Sequence, residues 1–105
     1  MPGLRSLDLS ETQREQLKAA LESHKTEFGA HAKAMRTARQ ALRAAVTADT
    51  FDEAAIRLKS AAVAAAAAEG AVLRAKVHAD MWALLTPEQQ QKAKAQRAER
   101  AARRG

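Results

Sequence analysis

Apolar and small residues recur at alternating steps of four and three through the first half of the chain: Leu17, Leu21, His24, Phe28, His31, Met35, Ala38, Leu42 and Ala45. That spacing lays one coiled-coil-like seam along a helix, with large and small side chains alternating. Gly29 interrupts good helix formers and marks the expected break, giving helices over about 10–28 and 30–46. Thr47-Ala48-Asp49 reads as a tight connection, after which the chain should return antiparallel. The returning helix is expected over about 50–84 and carries two apolar stripes. One holds Leu58, Ala61, Ala65, Val72, Ala79 and Trp82; the other holds Ile56, Val63, Gly70, Val77 and Leu84. A helix apolar on two sides needs two neighbours, the preceding arm and a second subunit, and Gly70 with the alanines would let backbones approach closely. A final helix over about 86–103 is almost wholly polar or alanine. The pattern predicts an all-α protein: an elongated antiparallel helical hairpin with short flanking helices, one domain over 1–105, packed as a dimer.

Helix starts are legible as capping boxes. Ser10 is followed three residues later by Gln13, Thr50 by Glu53, and Thr86 by Gln89. In each pair the hydroxyl can accept from the N3 amide while the N3 side chain returns to the cap's own amide. Pro87 then falls at N1, where a missing N–H costs nothing. Glu11, Asp52 and Glu88 put negative charge in the first turns, against the positive end of the helix dipole.

Composition sharpens this picture. Alanine supplies 28 residues and Leu, Ile, Val and Phe together only 17, so helicity should be strong while little bulky surface is available to bury. The net charge of +6 is weighted toward the end of the chain, in Lys92, Lys94, Arg97, Arg100, Arg103 and Arg104. Such a surface attracts acidic proteins, nucleic acids or anionic membranes without choosing among them, and a solvated helix face explains it equally well. There is no cysteine, hence neither a disulfide framework nor a thiol nucleophile. No apolar run reaches the roughly 18 residues of a membrane span, so no membrane insertion is expected. No signal peptide is legible after Met1.

Two pentapeptides carry a family resemblance. Leu9-Ser10-Glu11-Thr12-Gln13 and Leu85-Thr86-Pro87-Glu88-Gln89 bracket the hairpin, and Ala48-Asp49-Thr50-Phe51-Asp52 lies between them before the longest helix. Over roughly residues 7 to 100 the chain resembles the Spy/CpxP family of periplasmic stress proteins, whose signature is Leu-Thr-x-x-Gln. The resemblance implies a four-helix, cradle-shaped homodimer in the periplasm, with these residues as the mature part of an exported chain. It further implies ATP-independent holding of unfolded or partly folded client proteins, regulation of an envelope sensor kinase, or sensing of zinc, nickel or cobalt. One departure stands out: some relatives break the first arm with prolines, whereas Ala34-Met35-Arg36 is uninterrupted helix former.

The residues offer their own candidates. Arg36, Arg39 and Arg43 form one basic stripe beside Met35, Ala38 and Leu42. Cationic and apolar stripes side by side suit weak capture of partly folded, acidic chains; the same pattern also describes an ordinary amphipathic helix. For a divalent transition metal the candidates are His24, Glu27 and His31 on one face, with His78 and Met81 on the returning helix. Residues at i and i+7 stand about 10 Å apart along the axis, so one ion would need ligands from another helix or subunit. Without that, the histidines are polar knobs in the seam, and no cofactor is required. Nucleic-acid binding is not expected, because one Trp and no Tyr supply no stacking platform. Nor is enzymatic activity expected: there is no glycine-rich phosphate loop, and the carboxylates sit at caps or in helical charge pairs.

Overall fold

The computed structural model describes residues 7–104. They form four α-helices and no strand: α1 (Glu11–Ser23), α2 (Lys25–Val46), α3 (Glu53–Leu84) and α4 (Pro87–Arg104). The all-α expectation holds. None of these helices is long and apolar enough to cross a membrane.

Two of the three expected capping boxes form in full. At α1 the Ser10 amide donates to Gln13 Oε1 (2.9 Å) and the Gln13 amide to Ser10 Oγ (3.1 Å). At α4 the Thr86 amide donates to Gln89 Oε1 (2.9 Å) and the Gln89 amide to Thr86 Oγ1 (3.2 Å). The start of α3 differs. Thr50 and Glu53 do not make the box; Asp52 is the cap, its Oδ1 accepting from the Ala55 amide at 3.2 Å. Aspartate caps as well as a hydroxyl residue does and brings a full negative charge to the dipole. Glu53, left at the first helical position, pairs with Arg57 at 3.6 Å instead.

The break between the first two helices also falls elsewhere than the glycine suggests. Gly29 lies inside α2, and the interruption is at His24, with φ −99° and ψ −2°. A lone glycine costs a helix about 1 kcal/mol, too little to stop a run of good helix formers. At the other end of α2, Thr47 donates through both its amide and its hydroxyl to the Arg43 carbonyl, at 3.0 and 2.8 Å, which closes the helix.

The contacts divide the chain into two compact units: residues 7–22 with 77–104, and residues 23–76. In the second unit α2 leads through residues 47–52 into α3. His31 of α2 then meets Ala66 and Gly70 of α3, about as far beyond the turn as His31 lies before it, which is antiparallel pairing. His31, Met35, Ala38, Leu42 and Ala45 are half-buried on α2; on α3, Ile56, Val63 and Ala66 are half-buried and Gly70 and Leu73 buried. The glycine is required there, because a Cβ at position 70 would stand 2.6 Å from the His31 ring. That ring is anchored by Nε2, 2.9 Å from the Ala66 carbonyl.

The first unit joins α1, the last turns of α3 and α4. Leu7, Val77 and Met81 are its buried apolar residues. Leu9, Leu17, Leu84 and Leu85 close around Gln13 and Met81. Few side chains are fully enclosed in either unit, as a chain poor in large aliphatic residues requires.

Candidate functional site

Arg36, Arg39 and Arg43 are all exposed on α2. Among the described residues no carboxylate pairs with any of them. From position 28 to position 48 the chain has no acidic residue, so the stripe's charge is not neutralised along its own helix. Met35 and Leu42 are half-buried; they share their surface between the α2–α3 seam and the outside. They supply only part of the apolar face expected beside the arginines.

Most of the exposed apolar surface comes from residues not singled out for binding. Phe51 is 78% exposed, Leu58 68%, Val46 59% and Val72 51%. Leu58 and Val72 belong to the stripe Phe51, Ala54, Leu58, Ala61, Ala65, Ala68, Val72, Ala75 and Ala79, which keeps the three-four spacing without a break and is exposed throughout. The stripe was legible as a pattern. That the opposite stripe, through Val63, Gly70 and Val77, takes the intramolecular contacts was not. The deciding signal was Gly70, which marks the side where another element comes closest.

The candidate metal ligands are divided between the two units, His24, Glu27 and His31 in one and His78 and Met81 in the other. In the unit of residues 23–76, His24 Nδ1 stands 3.1 Å from Glu27 Oε1. His31 is engaged by the Ala66 carbonyl. His78 and Met81 belong to the other unit, where His78 Nε2 accepts from Arg97 Nη2 at 3.1 Å and Met81 is buried among Leu9, Leu17, Leu84 and Leu85. Among the described residues no three His, Cys, Asp or Glu side chains gather around a common point. Neither unit by itself therefore gathers a chelating set among its described residues.

The capping residues do more than start helices. Gln13 and Gln89 reach across their unit and bond to each other, which ties the start of α1 to the start of α4. Spacing shows each capping box locally and gives no hint that the two boxes are partners.

The fold and these contacts define a small all-helical protein with two matched Leu-Ser/Thr-x-x-Gln helix starts and an exposed basic and apolar arm. It belongs to the heavy-metal resistance family, whose model matches residues 1–92. No curated protein and no solved structure matches the chain.

Proposed function

We propose that this protein is an ATP-independent periplasmic chaperone that holds unfolded or partly folded proteins. The observation that carries the reading is the exposure of Val46, Phe51 and Leu58 in the same unit as Arg36, Arg39 and Arg43, which pair with no carboxylate among the described residues. Large apolar side chains left in water mark an interaction surface when they cluster. Cations beside them raise the encounter rate with acidic chains. The resemblance of both pentapeptides to the Spy/CpxP signature points the same way and supports a periplasmic location. Adding the protein to a chemically denatured, aggregating client tests it. Suppressed light scattering at stoichiometric ratios is expected, and unchanged scattering would sink the proposal.

The same reading takes the protein as a homodimer. The outer stripe of α3 between Ala61 and Ala79 has the spacing of a coiled-coil seam and is exposed on the single chain. A second copy, antiparallel, is its proposed partner.

Membership of the heavy-metal resistance family favours a second reading, a metal-responsive envelope protein. Because neither unit gathers three donors among its described residues, an ion would take ligands from more than one unit or chain. Calorimetry with zinc, nickel and cobalt separates the two readings. Heat that disappears on His24→Ala or His78→Ala would support the metal role, and absence of heat would remove it.

A further inference from the structure

In the unit formed by residues 7–22 and 77–104, α3 ends beside α4 in a corner built around Trp82, the only tryptophan of the chain. His78 and Trp82 lie one turn apart on α3, and their rings stack with centroids 5.6 Å apart and planes 20° from parallel. From α4, Lys94 Nζ stands 5.9 Å and the Arg97 guanidinium carbon 5.8 Å from the Trp82 ring centroid. Gln90 Nε2 donates to the Trp82 carbonyl at 3.0 Å and fixes the first turn of α4 against this end of α3. Arg97 Nη2 donates to His78 Nε2 at 3.1 Å. A guanidinium cannot accept, so this contact leaves the imidazole proton on Nδ1.

Two cations thus stand close to one aromatic ring. Among the described residues no carboxylate pairs with Lys94 or Arg97. Arg97 spends one N–H on His78, and its remaining N–H groups, with the three of Lys94, have no acceptor among the described residues. Both side chains are exposed while Trp82 is half-buried, so the charges sit at the rim of a fixed apolar floor. Cation–π contact positions the two heads without neutralising them.

We propose that the Trp82–Lys94–Arg97 corner binds carboxylate side chains of an acidic peptide segment, a second contact point for client proteins away from the α2 arginines. It rests on the reading of this chain as a holder of other proteins. Arg97 offers N–H groups for a charge-assisted bond to a carboxylate and Lys94 adds a second, both heads being placed by the Trp82 ring. Stacking of a nucleobase is disfavoured, because the ring is already stacked by His78 and faced by both cations. An anionic membrane is disfavoured as well, since the apolar positions of α4 are alanines only.

Trp82 is its own reporter. Titrating the intact protein with a tryptophan-free, glutamate-rich peptide should give a saturable change in Trp82 emission. Raising salt from about 50 mM to about 500 mM should weaken binding about tenfold, because the contacting charges are exposed. The double variant Lys94→Gln/Arg97→Gln should weaken it by a similar factor, and Lys94→Arg/Arg97→Lys should retain most of it. No saturable change, equal binding by the glutamine variant, or saturation by an oligonucleotide or anionic vesicles but not by the peptide would each overturn the proposal. The aggregation assay is independent of this titration. Suppression of aggregation without a Trp82 response would remove this site and leave the chaperone reading standing; a Trp82 response without suppression would do the reverse.

Discussion

Gln13 and Gln89 hold each other through both ends of their amides. Gln13 Nε2 donates to Gln89 Oε1 at 2.7 Å, and Gln89 Nε2 donates to Gln13 Oε1 at 3.1 Å. Each oxygen also accepts from its own cap amide, at Ser10 or Thr86. Each nitrogen also donates to a main-chain carbonyl, Leu84 for Gln13 and Leu7 for Gln89. Every donor and acceptor of both side chains is therefore used. The glutamine of the pentapeptide serves as an N3 cap and as one half of a clasp between two helix starts.

Gln89→Glu separates those two roles. A carboxylate still accepts from the Thr86 amide, so the cap survives, and it still accepts from Gln13 Nε2. It cannot donate to the Leu7 carbonyl and would set a negative charge against Gln13 Oε1. The expected loss is about 1–3 kcal/mol of unfolding free energy, the cost of stranding part-buried polar groups. Urea unfolding measures it. A change smaller than about 0.5 kcal/mol, the scale of an ordinary surface substitution, would show that the clasp contributes little. Gln13→Ala and Gln89→Ala should also cost less together than the sum of the two alone, since either one breaks the pair.

Gly70 and His31 give a prediction whose sign reverses with background. A Cβ at Gly70 would meet the His31 ring at 2.6 Å, and the ring is held by the Ala66 carbonyl. Gly70→Ala alone should therefore destabilise, by about 1–3 kcal/mol, as overpacking does. In a His31→Ala background the obstacle is gone and the helix propensity of alanine remains, so the same change should stabilise by up to about 1 kcal/mol. Thermal or urea unfolding of the four proteins decides it. Destabilisation in both backgrounds would mean that Gly70 is needed for some other approach.

The features legible in the chain were those fixed by local chemistry. Ser10 and Thr86 announce their helices because a hydroxyl and a glutamine three residues apart satisfy each other wherever they occur. Thr50 misled because Asp52, two residues on, is an equally good cap and the pattern cannot rank them. Gly29 misled because its propensity cost is small beside the run that contains it. The Gln13–Gln89 clasp, the Trp82 corner and the exposure of Phe51 depend on which elements meet, information that periodicity on one helix does not hold. The Arg36–Arg39–Arg43 stripe lies between these cases. Its spacing places it on one face, and only the absence of paired carboxylates on the described residues makes that face available.

The two parts of the proposed client surface should respond differently to salt. Arg36→Glu/Arg39→Glu/Arg43→Glu should slow capture of an acidic client severalfold at low ionic strength and have little effect at about 0.5 M salt, where exposed charges are screened. Phe51→Ser with Leu58→Ser should weaken capture at every ionic strength, because the lost contact is apolar. Both variants should keep wild-type unfolding midpoints, since all five side chains are exposed. The measurement is client capture followed by light scattering across a salt series. An arginine variant equally impaired at high salt would remove steering from the account.

The outer face of α3 fixes a register for the proposed homodimer. Its seam positions are Ala61, Ala65, Ala68, Val72, Ala75 and Ala79, and the charged residues flanking one side of that seam are Glu69 and Lys76. In an antiparallel pair, residues on this flank face their counterparts on the second copy. If Val72 packs against Ala75 of the second copy, Glu69 falls opposite its Lys76, and the two-fold axis repeats the pair. Shifting by one heptad in either direction sets Glu69 against Glu69 or Lys76 against Lys76, which costs rather than contributes. The charges thus select one alignment, as flanking residues do in coiled coils generally. Val72→Glu should abolish dimerisation, because it sets two carboxylates near the axis in an alanine seam. Lys76→Glu should weaken it about two- to tenfold, in line with exposed ion pairs of up to about 1 kcal/mol each. Glu69→Lys combined with Lys76→Glu restores opposite charges in the same register and should recover the wild-type dissociation constant. Sedimentation equilibrium reads all three. A double variant as weak as Lys76→Glu alone would reject this register, and a wild-type chain that stays monomeric at high concentration would reject the dimer itself.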